Sequence, residues 1–80
     1  MPTILRIDGY RFFFYSSEGD PREPPHVHVT SNDKVAKFWL NPVELASSKR
    51  IRASEISAIH ALVVTHQSLF LGAWNAYFES

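Results

Sequence analysis

The chain has 80 residues, enough for one small domain and too few for two, so we expect a single domain over residues 1–80. It has no cysteine, which excludes both disulfides and a zinc site built on thiolates. Eight basic side chains balance eight acidic ones, and the zero net charge argues against strong non-specific binding to nucleic acid while leaving room for a locally basic face.

The start of the chain predicts a β-hairpin. Residues 3–7 are rich in β-forming side chains, and Asp8-Gly9 is a strong two-residue turn signal. Residues 10–16 then resume a strand that contains three consecutive phenylalanines. Across a turn of this length, residues at equal distances from it become cross-strand neighbours. The predicted pairs are Ile7 with Tyr10, Arg6 with Arg11, Leu5 with Phe12 and Ile4 with Phe13.

A second hairpin is predicted after a loop over residues 16–25. Residues 26–31 form its first strand and residues 34–40 its second strand. Asn32-Asp33 is the turn signal between them, because both side chains tolerate left-handed backbone conformations. The predicted pairs are His26 with Trp39, Val27 with Phe38, His28 with Lys37 and Val29 with Ala36. We expect the four strands to form one antiparallel sheet.

Residues 43–52 show no clear period, and they predict no regular element. They contain a short basic cluster formed by Lys49, Arg50 and Arg52. A cluster of this size is more often part of a solvated loop than a phosphate site.

A long helix is predicted at the C-terminus. Ser54 is a good N-cap with Glu55 in the first turn, and residues 55–78 contain no proline. An amphipathic stripe recurs at alternating steps of three and four residues: Ile56, Ile59, Val63, His66, Phe70, Ala73 and Tyr77. Such a helix is longer than the strands, so it would overhang the sheet and could pair with a second copy, and Gly72 is its weak position.

The predicted fold is α+β, with an antiparallel sheet of two β-hairpins and one long C-terminal helix packed on one face. Strand pairing sorts the side chains onto two faces. One, which we call the apolar face, should take the helix; it carries Leu5, Ile7, Tyr10, Phe12, Phe14, Val27, Val29, Ala36, Phe38 and Leu40. The other, which we call the mixed face, carries Arg6, Arg11, Phe13, Tyr15, His26, His28, Thr30, Lys37 and Trp39.

Two histidines one residue apart are the strongest functional candidates. His26 and His28 follow the double proline Pro24-Pro25, and a strand projects residues i and i+2 to the same side. In the predicted register, Lys37 lies opposite His28. Two adjacent imidazoles are able to transfer protons or to bind a metal.

One hypothesis is that the mixed face acts on RNA. Aromatic rings would stack unpaired bases, cations would hold phosphate, and histidines would transfer protons during attack by a 2′-hydroxyl. The candidate catalytic residues are His26, His28, Lys37 and Arg11, and the candidate substrate-binding residues are Trp39, Tyr15 and Arg6. Arg6 lies opposite Arg11 in the predicted hairpin, a like-charge pair that an anion between the two would stabilise.

Two alternatives use the same face. The first is a non-catalytic module that docks a protein partner, since Trp, Tyr and Arg are typical of protein interfaces. The second is a small metal-binding protein in which His26 and His28 are two of the ligands. A third ligand would have to be His66, His60, Glu23 or Asp20, and the two carboxylates are close enough in the sequence to fold over the pair. His66 is expected on the opposite side of the sheet, which makes it a poor ligand.

Four short motifs carry a family resemblance. They are Met-Pro-Thr at residues 1–3, Pro-Pro-His-Val-His-Val at 24–29, Ala-Lys-Phe-Trp-Leu at 36–40 and Trp-Asn-Ala-Tyr-Phe at 74–78. Together they resemble the bacterial domain-of-unknown-function family 4160 over essentially the whole chain. The resemblance implies a component of a toxin–antitoxin pair, encoded beside a member of domain-of-unknown-function family 2442. It implies a growth-inhibiting toxin, with ribonuclease as the candidate activity, held inactive by that partner.

The leading hypothesis is a toxin-like component of a bacterial toxin–antitoxin pair that acts on RNA through the mixed face. Whether the domain is an enzyme stays open, and no cofactor is expected. The expected partners are the antitoxin-like protein, RNA and, through the long helix, a second copy. We expect a cytoplasmic protein without membrane contact, because no apolar run reaches membrane-spanning length and the N-terminus lacks a signal-peptide pattern.

Overall fold

The computed structural model describes residues 3–15 and 23–78 and has an α+β fold. Its strands and helices follow in this order: β1 (Thr3–Ile7), β2 (Tyr10–Phe13), β3 (His26–Ser31), β4 (Lys34–Leu40), β5 (Val43–Lys49), α1 (Ala53–Thr65) and α2 (Gln67–Phe78). The five strands of the described residues form one antiparallel sheet in which each strand pairs with the next in the sequence. The predicted α+β class is confirmed, whereas the numbers of strands and helices differ from the prediction.

The first predicted hairpin is present, and its turn has the expected geometry. Ile7 pairs with Tyr10 across Asp8-Gly9, and the two turn residues have positive φ angles of 53° and 82°. Such angles are typical of the two-residue turns that match the twist of the flanking strands.

Farther from this turn, the register shifts between Thr3 and Leu5. Thr3 is therefore the partner of Phe13, and the predicted pairing of Phe13 with Ile4 is wrong. The second hairpin has no such shift. Its four predicted pairs are all observed: His26 with Trp39, Val27 with Phe38, His28 with Lys37 and Val29 with Ala36.

Residues 43–49, for which the sequence predicts no regular element, form the edge strand β5. The strand follows β4 through Asn41-Pro42, whose peptide bond is cis. Its register with β4 shifts between Lys37 and Phe38, so its side chains do not keep a two-residue period. All of its side chains but the first are exposed, so burial imposes no alternation of polar and apolar residues either.

The predicted single helix is in fact two helices that meet at His66 with a bend of 68°. Gly72, the predicted weak position, lies inside α2 and interrupts nothing. At the bend, the backbone N–H and the ring Nδ1 of His66 both donate to the carbonyl oxygen of Leu62, each at 3.1 Å. The Gln67 side-chain amide donates to the Leu40 carbonyl oxygen at 2.6 Å and anchors the start of α2 to the end of β4.

The bend keeps both helices against the sheet. Helix α1 buries Ile59 and Val63, and α2 buries Phe70 and Trp74. Two helices of 13 and 12 residues replace the single long helix, so helix length no longer supports pairing with a second copy, which stays a prediction. In the described part of the chain, neither helix is long and apolar enough to cross a membrane alone, although the bent pair together matches such a span in length and composition.

The start of α1 is fixed by polar contacts with the sheet rather than by the predicted Ser54 cap. The helix begins at Ala53, and the Glu55 carboxylate accepts hydrogen bonds from the Tyr10 hydroxyl and, at 2.9 Å, from Lys34 Nζ. The bond to Glu55 raises the pKa of Tyr10 to about 12, because the carboxylate holds the phenolic proton. The same bond, followed by that from Lys34, lowers the pKa of Glu55.

The hydrophobic core lies between the apolar face and the two helices, as predicted. Its buried members are Phe12, Phe14, Val27, Val29, Ala36, Phe38, Leu40, Ile59, Val63, Phe70 and Trp74. Aromatic contacts join the layers: Phe12 lies 5.2 Å from Phe70 between ring centroids, and Phe14 lies 5.2 Å from Trp74 in a near-perpendicular arrangement. After the bend the buried stripe passes through Trp74, whereas Tyr77 of the predicted stripe is 45% exposed.

Candidate functional site

Cross-strand pairing arranges the mixed face in rows that run across the strands. The outer row consists of Arg6, Arg11, Thr30, Val35 and Lys49. The central row consists of Thr3, Phe13, His28, Lys37 and Ser47. The inner row consists of His26, Trp39 and Glu44. Neighbours in a row lie on adjacent strands, so about 5 Å separates one backbone position from the next.

His28, in the central row, is held by three neighbouring rings. It stacks on Phe13 with the ring centroids 5.5 Å apart and 26° between the planes. Tyr15 approaches it edge-on at 4.6 Å, and His26 does so at 5.1 Å. His28 is half-buried, so its ring is oriented by these contacts and still reaches the surface of the mixed face.

His26 lies beside His28, but it is fully buried. Its Nδ1 is 2.9 Å from the Pro24 carbonyl oxygen, and because a carbonyl can only accept, Nδ1 donates the proton. The His26 ring also contacts the indole of Trp39 at 5.6 Å and that of Trp74 in α2 at 4.8 Å. The prediction that both imidazoles lie on an open face is therefore wrong for His26, because α2 packs against it at the end of the sheet.

Lys37, at the centre of the mixed face, has two neighbours of opposite character. Its Nζ is 4.6 Å from the centre of the Trp39 ring and 3.7 Å from Glu23 Oε1. The predicted stacking surface of Trp39 therefore has an ammonium group over it. Tyr15, the other predicted stacking residue, is 42% exposed and offers the more accessible ring.

Arg6 and Arg11 are direct cross-strand partners, as predicted. The Nε of Arg11 donates to Thr3 Oγ1 at 2.9 Å, and its guanidinium carbon lies 4.4 Å from the centre of the Phe13 ring. A shallow pocket of about 320 Å³ is lined by residues 6–11. Like charges opposite one another destabilise a strand pair, so an anion bound between the two guanidinium groups would relieve their repulsion.

The other two histidines lie on helix α1 and at the bend, and each bonds to the backbone. His60 Nε2 lies 3.3 Å from the Val43 carbonyl oxygen, and His66 Nδ1 lies 3.1 Å from that of Leu62. Asp20, one of the predicted carboxylate ligands, lies outside the described residues. In the described part of the chain, no three His, Asp or Glu side chains converge in a way that could hold a metal ion.

A groove of about 440 Å³ runs along the mixed face over β3, β4 and β5. It is lined by Tyr15, His28, Val35, Ala36, Lys37, Ser47, Ser48 and Lys49. Sequence reasoning misses the contribution of Ser47 and Lys49, because their strand has no periodic pattern. The signal that could have found Lys49 is its basic cluster, which the sequence alone assigns to a loop.

A family model matches residues 9–75, which is most of the chain, and is described as a domain of unknown function, DUF4160. The chain belongs to the DUF4160 family. The resemblance seen in the sequence motifs is thereby confirmed at the level of the family. No curated protein matches the chain at a significant level, and no solved structure does.

The segment matched to DUF4160 contains the whole groove, whereas Thr3 and Arg6 lie before it. The groove is therefore built from the part of the chain that defines the family. Since the family description assigns no activity, the function of this DUF4160 domain has to be argued from the chemistry of its mixed face.

Proposed function

We propose that this protein is the toxin-like component of a bacterial two-protein module and that its mixed face binds single-stranded RNA. The observation that carries the proposal is the placement of four cations on the face that the helices leave open: Arg6, Arg11, Lys37 and Lys49. The zero net charge of the whole chain conceals this local concentration. A local basic face is what attracts a polyanion, whatever the total charge.

Two of the described acidic side chains lie away from these cations: Asp33 occupies the second hairpin turn, and Glu55 is bonded at the start of α1. Asp8 occupies the first hairpin turn and lines the pocket that Arg6 and Arg11 also line. On the mixed face, Glu44 ends the inner row and Glu23 approaches Lys37. The four cations therefore outnumber the described carboxylates on this face.

The outer row gives the proposed RNA strand its direction. It crosses all five strands, so four spacings of about 4.8 Å separate Arg6 from Lys49, a span of about 19 Å. Lys37 lies beside the second half of this row, and Tyr15 supplies an exposed ring. Cations that contact phosphates, next to a ring on which bases stack, are the usual means of binding a single strand.

We assign the chemical step to His28, whose imidazole reaches the groove. In such a cleavage a base takes the proton of a 2′-hydroxyl, the 2′-oxygen bonds to the adjacent phosphorus, and the bond from phosphorus to the 5′-oxygen breaks as that oxygen takes a proton from water. His28 is placed to take the first proton, and Lys37, its cross-strand partner, to stabilise charge on the phosphate. His26 acts as a positioning residue, because its buried ring contacts that of His28.

The binding part of the proposal is tested with a fluorescent single-stranded RNA and two double variants of equal charge change. Lys37→Ala with Lys49→Ala removes two cations of the mixed face. Arg50→Ala with Arg52→Ala removes one cation that pairs with Asp33 and one that precedes α1. We expect the first variant to lose most of the affinity, with a salt slope lower by about two, and the second to retain it. Equal losses in both variants, or a wild type that binds no RNA, would contradict the proposal.

The chemical part is tested by RNA cleavage in vitro and by growth of a bacterial culture after induction. We expect the wild type to cleave RNA and arrest growth, and His28→Ala to bind RNA without cleaving it. His60→Ala is the control, since it removes an imidazole that faces the β5 backbone and not the groove. Undiminished cleavage by His28→Ala would remove the chemical assignment and leave the binding proposal in place.

A second candidate function, docking of a protein partner on the same face, is favoured by Val35. This apolar side chain is 43% exposed in the outer row, and Tyr15 across the groove is 42% exposed. Exposed apolar and aromatic groups inside a polar rim are typical of protein interfaces. The partner would be the antitoxin-like protein of domain-of-unknown-function family 2442, which could neutralise the domain by covering its RNA site.

The docking function has its own test. Val35→Ser should weaken co-purification with the partner far more than it weakens RNA binding, because the substitution removes apolar area and changes no charge. Retention of partner binding together with a loss of RNA affinity would be evidence against docking at this position.

A further inference from the structure

We infer that the groove over β3, β4 and β5 is a subsite for one nucleotide, with the phosphate between Lys37 and Lys49 and the base on Tyr15. The inference rests on the proposed RNA binding and deepens it, since it states which part of the mixed face holds a nucleotide and in which direction. The groove volume of about 440 Å³ lies within the range of small-molecule sites.

The phosphate end is defined by four polar side chains on three adjacent strands. In the central row, Lys37 has His28 as its neighbour on one side and Ser47 on the other. Lys49 lies two residues along β5 from Ser47, and therefore on the same face and diagonal to Lys37. Two ammonium groups, a hydroxyl and an imidazole are all able to donate hydrogen bonds to phosphate oxygens.

The diagonal placement of Lys37 and Lys49 brings two like charges within reach of one anion. Lysines on neighbouring strands repel each other, and a phosphate between them would replace the repulsion with two attractive contacts. The residue directly opposite Lys49 is Val35, which brings no charge of its own. An anion with several charged oxygens therefore matches this end of the groove.

Among the described residues, Glu23 is the carboxylate that competes with phosphate for Lys37. Its Oε1 lies 3.7 Å from Lys37 Nζ, longer than the roughly 2.7–2.9 Å of a well-formed charge-assisted hydrogen bond. The Glu23 side chain is 42% exposed, so it can turn into water when a phosphate takes its place. Removing this carboxylate should therefore strengthen phosphate binding.

The opposite end of the groove offers one accessible aromatic ring. Tyr15 is oriented by edge contacts with Phe13 at 5.1 Å and with His28 at 4.6 Å. A base can stack on the exposed side of Tyr15, whereas Trp39 has the Lys37 ammonium over it. Stacking on a ring tolerates every base, so the subsite selects a nucleotide and not a sequence.

The inference is tested by titrating adenosine 5′-monophosphate, adenosine and inorganic phosphate into the full chain by isothermal titration calorimetry. We expect the monophosphate to bind more tightly than adenosine or inorganic phosphate, because it alone engages both ends of the groove. Lys49→Ala should weaken monophosphate binding about tenfold and leave adenosine binding unchanged. Tyr15→Ala should weaken adenosine and leave inorganic phosphate unchanged, and Glu23→Gln should strengthen both phosphate-bearing ligands.

Arg50→Ala is the matched control, since it removes a cation outside the groove and should leave all three affinities unchanged. Equal affinities for the monophosphate and inorganic phosphate, or weaker binding by Glu23→Gln, would overturn the inference. RNA binding without monophosphate binding would overturn the subsite and leave the proposed function standing. Monophosphate binding without RNA binding would overturn the proposed function and leave the subsite standing.

Discussion

Nδ1 of His26 donates a hydrogen bond to the carbonyl oxygen of Pro24 at 2.9 Å, and this contact holds the imidazole inside the protein. The next histidine along the strand, His28, reaches the mixed face instead. Two residues that look equivalent in the sequence therefore have different physical roles. His26 ties the double-proline segment to the sheet, whereas His28 is half-buried and lines the groove.

The first prediction separates these roles. His26→Ala should lower the free energy of unfolding by about 2–4 kcal/mol, because it leaves a cavity beside Trp74 and removes the hydrogen bond to Pro24. His28→Ala should lower it by about 1 kcal/mol or less, since the side chain is half-buried. Urea denaturation followed by circular dichroism measures both. Equal destabilisation would show that His28 is as structural as His26.

The second prediction concerns alkaline pH and Tyr10, whose hydroxyl donates to Glu55. That bond raises the pKa of Tyr10 to about 12, so a titration of tyrosinate absorbance should show an ionisation step near that pH. The folded pKa is above the unfolded value, so the contact stabilises the fold fully below about pH 10 and is lost as the pH rises to about 12. Tyr10→Phe should remove the late step and Tyr77→Phe should keep it. A late step that survives Tyr10→Phe would refute the assignment.

The third prediction concerns acidic pH. There the carboxylate of Glu55 makes the free energy of unfolding fall as the pH is lowered, whereas the Tyr10 hydroxyl makes it fall as the pH is raised. Hydrogen bonds from Tyr10 and Lys34 lower the pKa of Glu55 below the ordinary value of 4.5. The stabilisation is complete above that value and is lost as the pH falls through the folded pKa. Glu55→Gln should therefore make the free energy of unfolding less dependent on pH in acid, as measured by denaturation at a series of pH values. Tyr10→Phe should give an intermediate slope, because Lys34 remains. A wild-type slope in Glu55→Gln would contradict this account.

The fourth prediction compares two glycines. Gly72 lies inside α2, and a Cβ there would meet nothing within 4 Å, so Gly72→Ala should stabilise the protein by about 0.5–1 kcal/mol. Gly9 has a φ of 82° in the first hairpin turn, and Gly9→Ala should lower the free energy of unfolding of the protein by about 1–2 kcal/mol. Thermal denaturation of both variants decides the matter. A lower melting temperature for Gly72→Ala would mean that this position is not an open helical site.

The hairpins could be predicted because their determinants are local. Asp8-Gly9 and Asn32-Asp33 specify two-residue turns, and the alternation of the strands then determines which side chains become neighbours. The pairing of His28 with Lys37 follows from these features alone. The sequence contains no such local signal for the helix bend at His66, since the predicted apolar stripe continues through this residue without interruption.

The rest of the candidate site depends on packing between distant parts of the chain. Lys49 lines the groove from β5. The side chains of this strand are mostly exposed and its register is shifted, so its sequence shows no two-residue alternation of apolar and polar residues. His26 leaves the open face because Trp74, near the end of the chain, packs against it. A strand taken by itself gives no indication of which of its ends a helix will cover.

The order of the strands has a consequence for biosynthesis. Within residues 3–15 and 23–78, each strand pairs only with its sequence neighbours, so we expect every pairing to form soon after its second strand leaves the ribosome. Trp74 differs, because it joins the end of the chain to Phe14 and His26 near its beginning. Until α2 has been synthesised, the sheet exposes the apolar surface that this helix later covers. A nascent or truncated chain that ends before α2 is therefore expected to be a client of chaperones and proteases, and not a smaller working domain.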